Sequence, residues 1–390
     1  MTRSGQCGAD VGAMGADHLD LEEARGELRL AVRRFLEECS PEAEVRRLME
    51  EPEGLDRSSW ARLADQLGVA SLVIPEEAGG AGASLLELGV VLEEAGRALL
   101  CAPLLATTVL ATQALLAAGK GSADLLHSIA EGRTTATLAA DLDGGPWTPQ
   151  HCGVVAHEGA DGWTLDGVVP FVLDGATADV VLVPARVGDH VALFVAVPSP
   201  ACVRTPLPTM DLTRRVARIA FRRAPGRLLG TPRDENWLTR VWLHAVAALA
   251  AEQVGVAERA LNLATEHART RIQFGRPIGS FQAIKHRCAD MLVAVESARS
   301  AAEAALRSSA GLDDELALTS ALAGAWCSEA ATFVTAECVQ VHGGIGFTWE
   351  HPAHLYLKRA KSAELMLGSP AMHRRLLAAQ LGLASDGVTA

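Results

Sequence analysis

Arg271-Ile-Gln-Phe-Gly-Arg-Pro-Ile-Gly-Ser-Phe-Gln-Ala283 interrupts a helical pattern that otherwise fills the C-terminal third of the chain. Upstream, apolar residues of helical period predict a long helix from Glu235 to Ala268, with Asp234 as its N-cap. Downstream, Ser280 is placed to cap a second helix over Phe281–Ser308. A third fits Leu312–Val341, and a last helical part follows Pro352. Gly275, Pro277 and Gly279 make the intervening stretch a turn. Two readings of the arginines at the helix end, in Arg269-Thr-Arg271, fit. A guanidinium fork beside such a turn can hold a diphosphate, and a cation is also favoured at any helix C-terminus by the helix dipole.

Outward from this stretch the period changes twice. Between 131 and 233, short runs at Thr134–Ala140, Gly153–Ala156, Trp163–Val169, Val180–Pro184, Val191–Val197 and Val216–Phe221 alternate with Gly, Asp and Pro turns. They predict an antiparallel β domain, with Glu158-Gly-Ala-Asp-Gly162 as a hairpin loop. Residues 19–130 read as helices: Leu28, Val32, Phe35 and Leu36 share one face, and Leu85, Leu88, Val91 and Leu92 another, with Glu87, Glu93 and Glu94 on its polar side. Residues 1–18 read as a loose tail without the apolar core of a signal peptide. The fold class is α+β: an N-terminal helical domain (19–130), a middle antiparallel β domain (131–233) and a C-terminal four-helix bundle (234–390).

Composition narrows the function. The chain has 390 residues, 49% hydrophobic, with net charge −12, which argues against general nucleic-acid binding. Leu99–Gly119 lacks any charge, but Thr and Gln residues and the absence of basic flanks predict a buried helix, not a membrane span. Eight scattered cysteines form no CxxC or Cys/His zinc spacing and point to a reducing, cytoplasmic setting. His342 and His354 have no Cys or carboxylate partner at metal spacing. Trp237 and Trp242 read as packing residues, and Asp211-Leu-Thr-Arg-Arg215 as a surface turn, with a share in an acyl pocket as the alternative. Aromatics are only 4%, yet mean hydropathy is +0.17, an apolar excess that needs a place to be buried.

A second cluster, Gln340-Val-His-Gly-Gly-Ile-Gly-Phe347, lets backbone N–H groups approach a phosphate closely, or simply ends a helix. No Lys-Ser/Thr follows it and no strand precedes it, so it is neither a P-loop nor a dinucleotide fingerprint. In this order and separation the two clusters closely resemble the signatures of the acyl-CoA dehydrogenase family, and Val73-Ile-Pro-Glu-Glu-Ala-Gly-Gly80 resembles that family's N-terminal turn. The resemblance implies noncovalent FAD, an acyl-CoA thioester desaturated between Cα and Cβ, a carboxylate base and an electron-transfer flavoprotein as acceptor. It assigns Arg271, Gln273, Phe274, Phe281, Gln282, Gln340, Gly343 and Gly344 to the FAD of a neighbouring subunit.

The departures from the family pattern are as informative. The usual base, a Glu followed by Gly, falls on Leu367 before Gly368, and a leucine cannot accept a proton. The alternative family position falls near Ala245, where there is no carboxylate. Glu364 and Glu252 are the nearest candidates for a displaced base. The flavin-edge threonines are replaced in Ala139-Ala-Asp141 and Phe171-Val-Leu173. Losses at a chain's own active site, with retention of residues that serve the neighbour, resemble the non-catalytic subunit of heterotetrameric (α2β2) acyl-CoA dehydrogenases acting on steroid side-chain thioesters. The alternatives are a self-sufficient enzyme with a relocated base, and a non-redox protein on the same fold.

Overall fold

A computed structural model describes residues 7–232, 234–311 and 315–383, with side chains from 21 onward except Lys120. The N-terminal helices are α1 (Cys7–Cys39), α2 (Glu42–Glu50), α3 (Arg57–Leu67), α4 (Leu85–Ala98), α5 (Thr112–Ala118) and α6 (Ala123–Ala130). α1 begins inside the stretch expected to be a loose tail; residues 1–6 of that stretch lie outside the described residues. Ser84 and Glu87 form a reciprocal capping box that fixes the start of α4. The uncharged run is buried: it forms a π-helical segment, Leu105–Ala111, continued by α5, and none of the described helices is long and apolar enough to cross a membrane.

The β region contains β1 (Ala136–Leu138), β2 (Val154–Gly159), β3 (Gly162–Leu173), β4 (Val180–Val187), β5 (His190–Ala196), β6 (Cys202–Pro206) and β7 (Val216–Gly230). Only Ala160 and Asp161 join β2 to β3, where the hairpin loop was expected. Pairings β4–β2, β2–β3, β3–β7, β7–β5 and β5–β4 close a ring, with β1 added on β4 and β6 on β7. The sheet is mainly antiparallel, but β4 pairs in parallel with both β1 and β2. β6 has no apolar alternation, being half-exposed along its length, and gave no strand signal in the sequence.

The C-terminal part comprises α7 (Trp237–Thr270), the two-residue strands β8 (Ile272–Gln273) and β9 (Arg276–Pro277), α8 (Gln282–Gly311), α9 (Leu316–His342), α10 (Ala353–Leu365) and α11 (Pro370–Gln380). Two expected caps differ. Asp234 does not cap α7; its carboxylate accepts from the Asn236 N–H (3.0 Å) and pairs with Arg240 (2.8 Å). Ser280 donates to the Pro277 carbonyl (2.7 Å) inside the turn and leaves α8 to start at Gln282.

α4 and α7 cross closely because both present glycine. A Cβ at Gly96 would lie 2.1 Å from the Glu252 carbonyl, and one at Gly255 would overlap the Glu93 carbonyl. Alanines extend this economy along α7, where Ala245, Ala247, Ala248, Ala250 and Ala251 are all buried. Small residues bring backbones together, so the core needs few aromatics. Trp242 is fully buried and stacks on His373 at 5.6 Å. Two of the three acids expected on the polar side of α4 are also inside: Glu94 is 1% exposed and bonded to Arg33 (2.7 and 2.9 Å), and Glu93 pairs with Arg29 (2.9 Å) and Arg299. The α4–α7 crossing places Glu252 in the interior.

Candidate functional site

Three regions carry the residues singled out from the sequence: an exposed end of the helical bundle, the edge of the β region beside β1 and β3, and a polar cluster around Glu252.

At the bundle end, Phe274 and Gly275 form the tip of the β8–β9 hairpin, with φ of +52° and +75°. Phe274 is 89% exposed, and its ring meets the edge of Phe281 at 6.0 Å. Arg276 lies over the Phe281 ring at 4.1 Å. Arg271, Gln273, Gln282, Gln340, Gly343 and Gly344 are all exposed. The two sequence clusters are joined by a ring contact: His267, in the last turn of α7, packs on His342 at 4.3 Å, and His342 on His351 at 4.1 Å. The His342 Nδ1 is tied to the Cys338 carbonyl (2.7 Å), an ordinary polar role, and no set of described residues makes a metal site. Burial holds all three imidazoles below the usual histidine range. Gly343 has φ +62°, and the space around Gly343 and Gly344 is open. Neither Arg271 nor Arg276 forms an ion pair with a described carboxylate. Unpaired guanidiniums, accessible backbone and exposed aromatic faces fit an anionic, aromatic ligand bound from outside the chain. Arg276 and Phe347 stand inside the two motifs and Trp349 just beyond, but the sequence reading gave none of them a role in this patch. Phe347 and Trp349 are 76% and 60% exposed, and Lys358 lies over the Trp349 ring at 4.3 Å. Their signal was rarity: aromatics are few, yet several gather here.

The β edge is different. Ala139, Ala140, Val172 and Leu173 are buried and carry no side-chain donor. The nearby backbone N–H groups are spent: Ala139 donates to Leu182 (2.7 Å), Ala140 to Leu138 (2.8 Å) and Leu142 to Phe171 (3.1 Å). The cavity against this edge holds about 50 Å³.

Leu367 is 1% exposed, and its N–H donates to the Leu142 carbonyl (2.8 Å). The next cavity, lined by Cys101, Leu173, Asp174, Arg214, Glu252 and Arg359, holds about 30 Å³. Charges fill the space around it. Glu252 is hydrogen-bonded to Arg214 and to Arg359 (2.6 Å); Arg359 pairs with Asp211 (3.1 Å) and donates to the Thr213 hydroxyl; Arg214 reaches the Met366 sulfur (2.8 Å). The Asp211–Arg215 segment is therefore no surface turn: Asp211, Thr213 and Arg214 are buried. The sequence gave no sign of this, because Asp211, Glu252 and Arg359 meet only in the folded chain. Burial pushes the Glu252 carboxyl up, but Arg214 and Arg359 outweigh it and hold it below the usual range. Asp174, with φ +52°, is pushed up to about 7 by burial. Glu364, on α10, bonds to Lys361 (2.6 Å) and Thr332 (2.8 Å). Ala245 is buried in α7 with His244 beside it, whose imidazole burial lowers to about 4.

Comparison with known proteins gives a consistent picture. Residues 22–133 match the family profile "Acyl-CoA dehydrogenase, N-terminal domain", and residues 242–382 match "Acyl-CoA dehydrogenase, C-terminal domain". The acyl-CoA dehydrogenase IpdE2 of Mycolicibacterium smegmatis is 39% identical over 93% of this chain and all of its own length. The acyl-CoA dehydrogenase FadE27 of Mycobacterium tuberculosis is 35% identical, over 88% of this chain and 92% of its own. A chain of the ChsE4–ChsE5 complex from Mycobacterium tuberculosis superposes with a TM-score of 0.82 at 31% identity, covering 93% of this chain and 98% of that one.

Proposed function

The chain belongs to the acyl-CoA dehydrogenase family of flavoprotein oxidoreductases, and on that premise we propose that it is the non-catalytic subunit of a heteromeric acyl-CoA dehydrogenase. It lends a partner half of an FAD site and carries out no desaturation in its own core. One observation carries this reading: Leu367, where the family resemblance puts the base, is buried and has no acid–base group, and the cavities at the β edge and around Glu252 hold only about 50 and 30 Å³. Small-molecule sites commonly span about 300–1,000 Å³. Volumes this small take a few waters, and neither a flavin ring nor an acyl thioester fits.

The relocated-base alternative has little support. A general base must be free to accept a proton near working pH. Glu252 is clamped by two guanidiniums that favour its ionised, bonded form, and Glu364 is engaged by Lys361 and Thr332. A buried pair or triad of this kind is a structural plug: removing any member leaves an uncompensated charge.

The bundle end fits the cofactor where the chain's own core does not. FAD, when bound, supplies the hydride-accepting chemistry of the family. Arg271 is placed to hold its diphosphate by charge-assisted hydrogen bonds, and the backbone at Gly343 and Gly344 allows close approach. Phe274 and Phe281 offer faces to the adenosine part, while Gln273, Gln282 and Gln340 supply amide hydrogen bonds. In this reading every one of these groups acts on a cofactor whose flavin ring lies in the partner, and the partner brings the base.

The ChsE4–ChsE5 complex and the "Tcur3481-Tcur3483 steroid ACAD" variant (TM-score 0.82, 28% identity) support a two-chain assembly acting on a bulky, steroid-like acyl-CoA. An electron-transfer flavoprotein is the proposed acceptor. The seven cysteines with described side chains are free thiols, which supports a reducing compartment. Purified alone, the chain should be flavin-poor, and acyl-CoA thioesters should bleach no flavin absorbance. A yellow, active homo-oligomer would overturn the assignment.

A further inference from the structure

A third cavity, of about 250 Å³, lies among α1, α2, α4, α7 and α10 and is several times larger than those at the β edge and around Glu252. One wall is basic. Arg97 and Arg259 line it together with Tyr356, whose hydroxyl donates to the Arg97 carbonyl (2.9 Å) and lies against the Arg259 guanidinium. Arg259 forms no ion pair with a described carboxylate. The Arg97 Nη1 is shielded from solvent and has no hydrogen-bond partner among the described residues. The Glu258 carboxylate lies nearby: its Oε1 is 3.6 Å from Arg97 Nη1, a long ion pair, and its Oε2 accepts from Arg299 at 3.4 Å.

The remaining wall separates the possible ligands. Arg33 and Glu94 satisfy each other at 2.7 and 2.9 Å and add no net charge. Glu37 and Glu42 are exposed, and Glu42 is paired with Arg46 (2.7 Å). Leu36, Val45 and Leu355 supply apolar surface to the same cavity. The volume is too small for a nucleotide or a CoA thioester. Two guanidiniums call for an oxyanion, and the hydrocarbon wall calls for an apolar body attached to it.

We propose that this cavity is a binding site for a small apolar monocarboxylate, its carboxylate on Arg97 and Arg259 and its body against Leu36, Val45 and Leu355. The site is separate from the cofactor face and does not depend on the function proposed above. Calorimetric titration of the full chain with sodium benzoate, sodium butyrate and inorganic phosphate, at constant ionic strength, tests it. Saturable binding of benzoate near one per chain is expected, with butyrate weaker and phosphate weaker still. Arg97→Gln and Arg259→Gln should each weaken benzoate at least about tenfold. Ala98→Leu, which keeps both arginines but fills cavity space, should weaken it as well, and it serves as the test if an arginine variant fails to fold. Absence of saturable binding, or affinity unchanged in the variants that fold, would overturn the proposal. Phosphate binding as tightly as benzoate would overturn the apolar-body assignment.

Discussion

Leu367 holds a backbone conformation that costs a leucine. Its φ is +59°, yet the side chain is buried and the N–H is bonded to Leu142, so packing and the hydrogen bond maintain it. A carboxylate placed there would lose its hydration. Leu367→Glu should therefore lower stability by roughly 3 kcal/mol in urea denaturation and create no dehydrogenase activity in the isolated chain. Asp174 gives a pH prediction. Its folded pKa of about 7 lies above the unfolded value of about 3.9, so the folded state holds the proton more tightly. Its contribution is fully present below the unfolded pKa and is lost as pH rises through about 7. Asp174→Asn should match the parent near pH 4 and melt at a higher temperature than the parent at pH 8. An equal pH dependence for both proteins would show that Asp174 does not titrate this way.

Between elements, the cluster that joins the β6–β7 turn to α7 and α10 decides what the interior can hold. Arg359 is 3% exposed and bridges Asp211 and Glu252. Arg359→Leu should cost about 3–5 kcal/mol, measured by denaturation, because two carboxylates lose their shared partner. The hairpin at Arg271 should behave oppositely: Arg271→Ala is at an exposed site, so melting should hardly change while FAD affinity in the assembled complex falls about tenfold or more. Equal FAD affinity would remove Arg271 from the cofactor face. This contrast matches what was legible in the sequence. The hairpin and the Gly343 turn are local motifs, readable because their residues are neighbours in the chain. The long helices and six of the seven strands of the β region were readable from period. Asp211, Glu252 and Arg359 come together only when the β6–β7 connection, α7 and α10 pack against one another, and β6 lacks the alternation that marks a strand. Glu93 and Glu94 looked like a polar helix face because a sequence does not show the arginines that meet them.

For the molecule as a whole, the apolar excess divides into two parts. Most is absorbed by an alanine-rich core whose helices approach closely. The rest is at the surface, where Phe274, Phe347 and Trp349 stand in water at the bundle end. A patch of this kind marks an interaction surface, and its arginines and glycines suit a cofactor shared with a partner. The net charge of −12 does not oppose an anionic ligand, because local groups set the field at this end. The most direct test is the number of FAD molecules per chain in the complex formed by co-expressing this chain with a catalytic acyl-CoA dehydrogenase partner. One FAD for each pair of unlike chains is the predicted result, with none retained when this chain is purified alone. One FAD for every chain, or a fully flavinylated and active oligomer of this chain by itself, would contradict it.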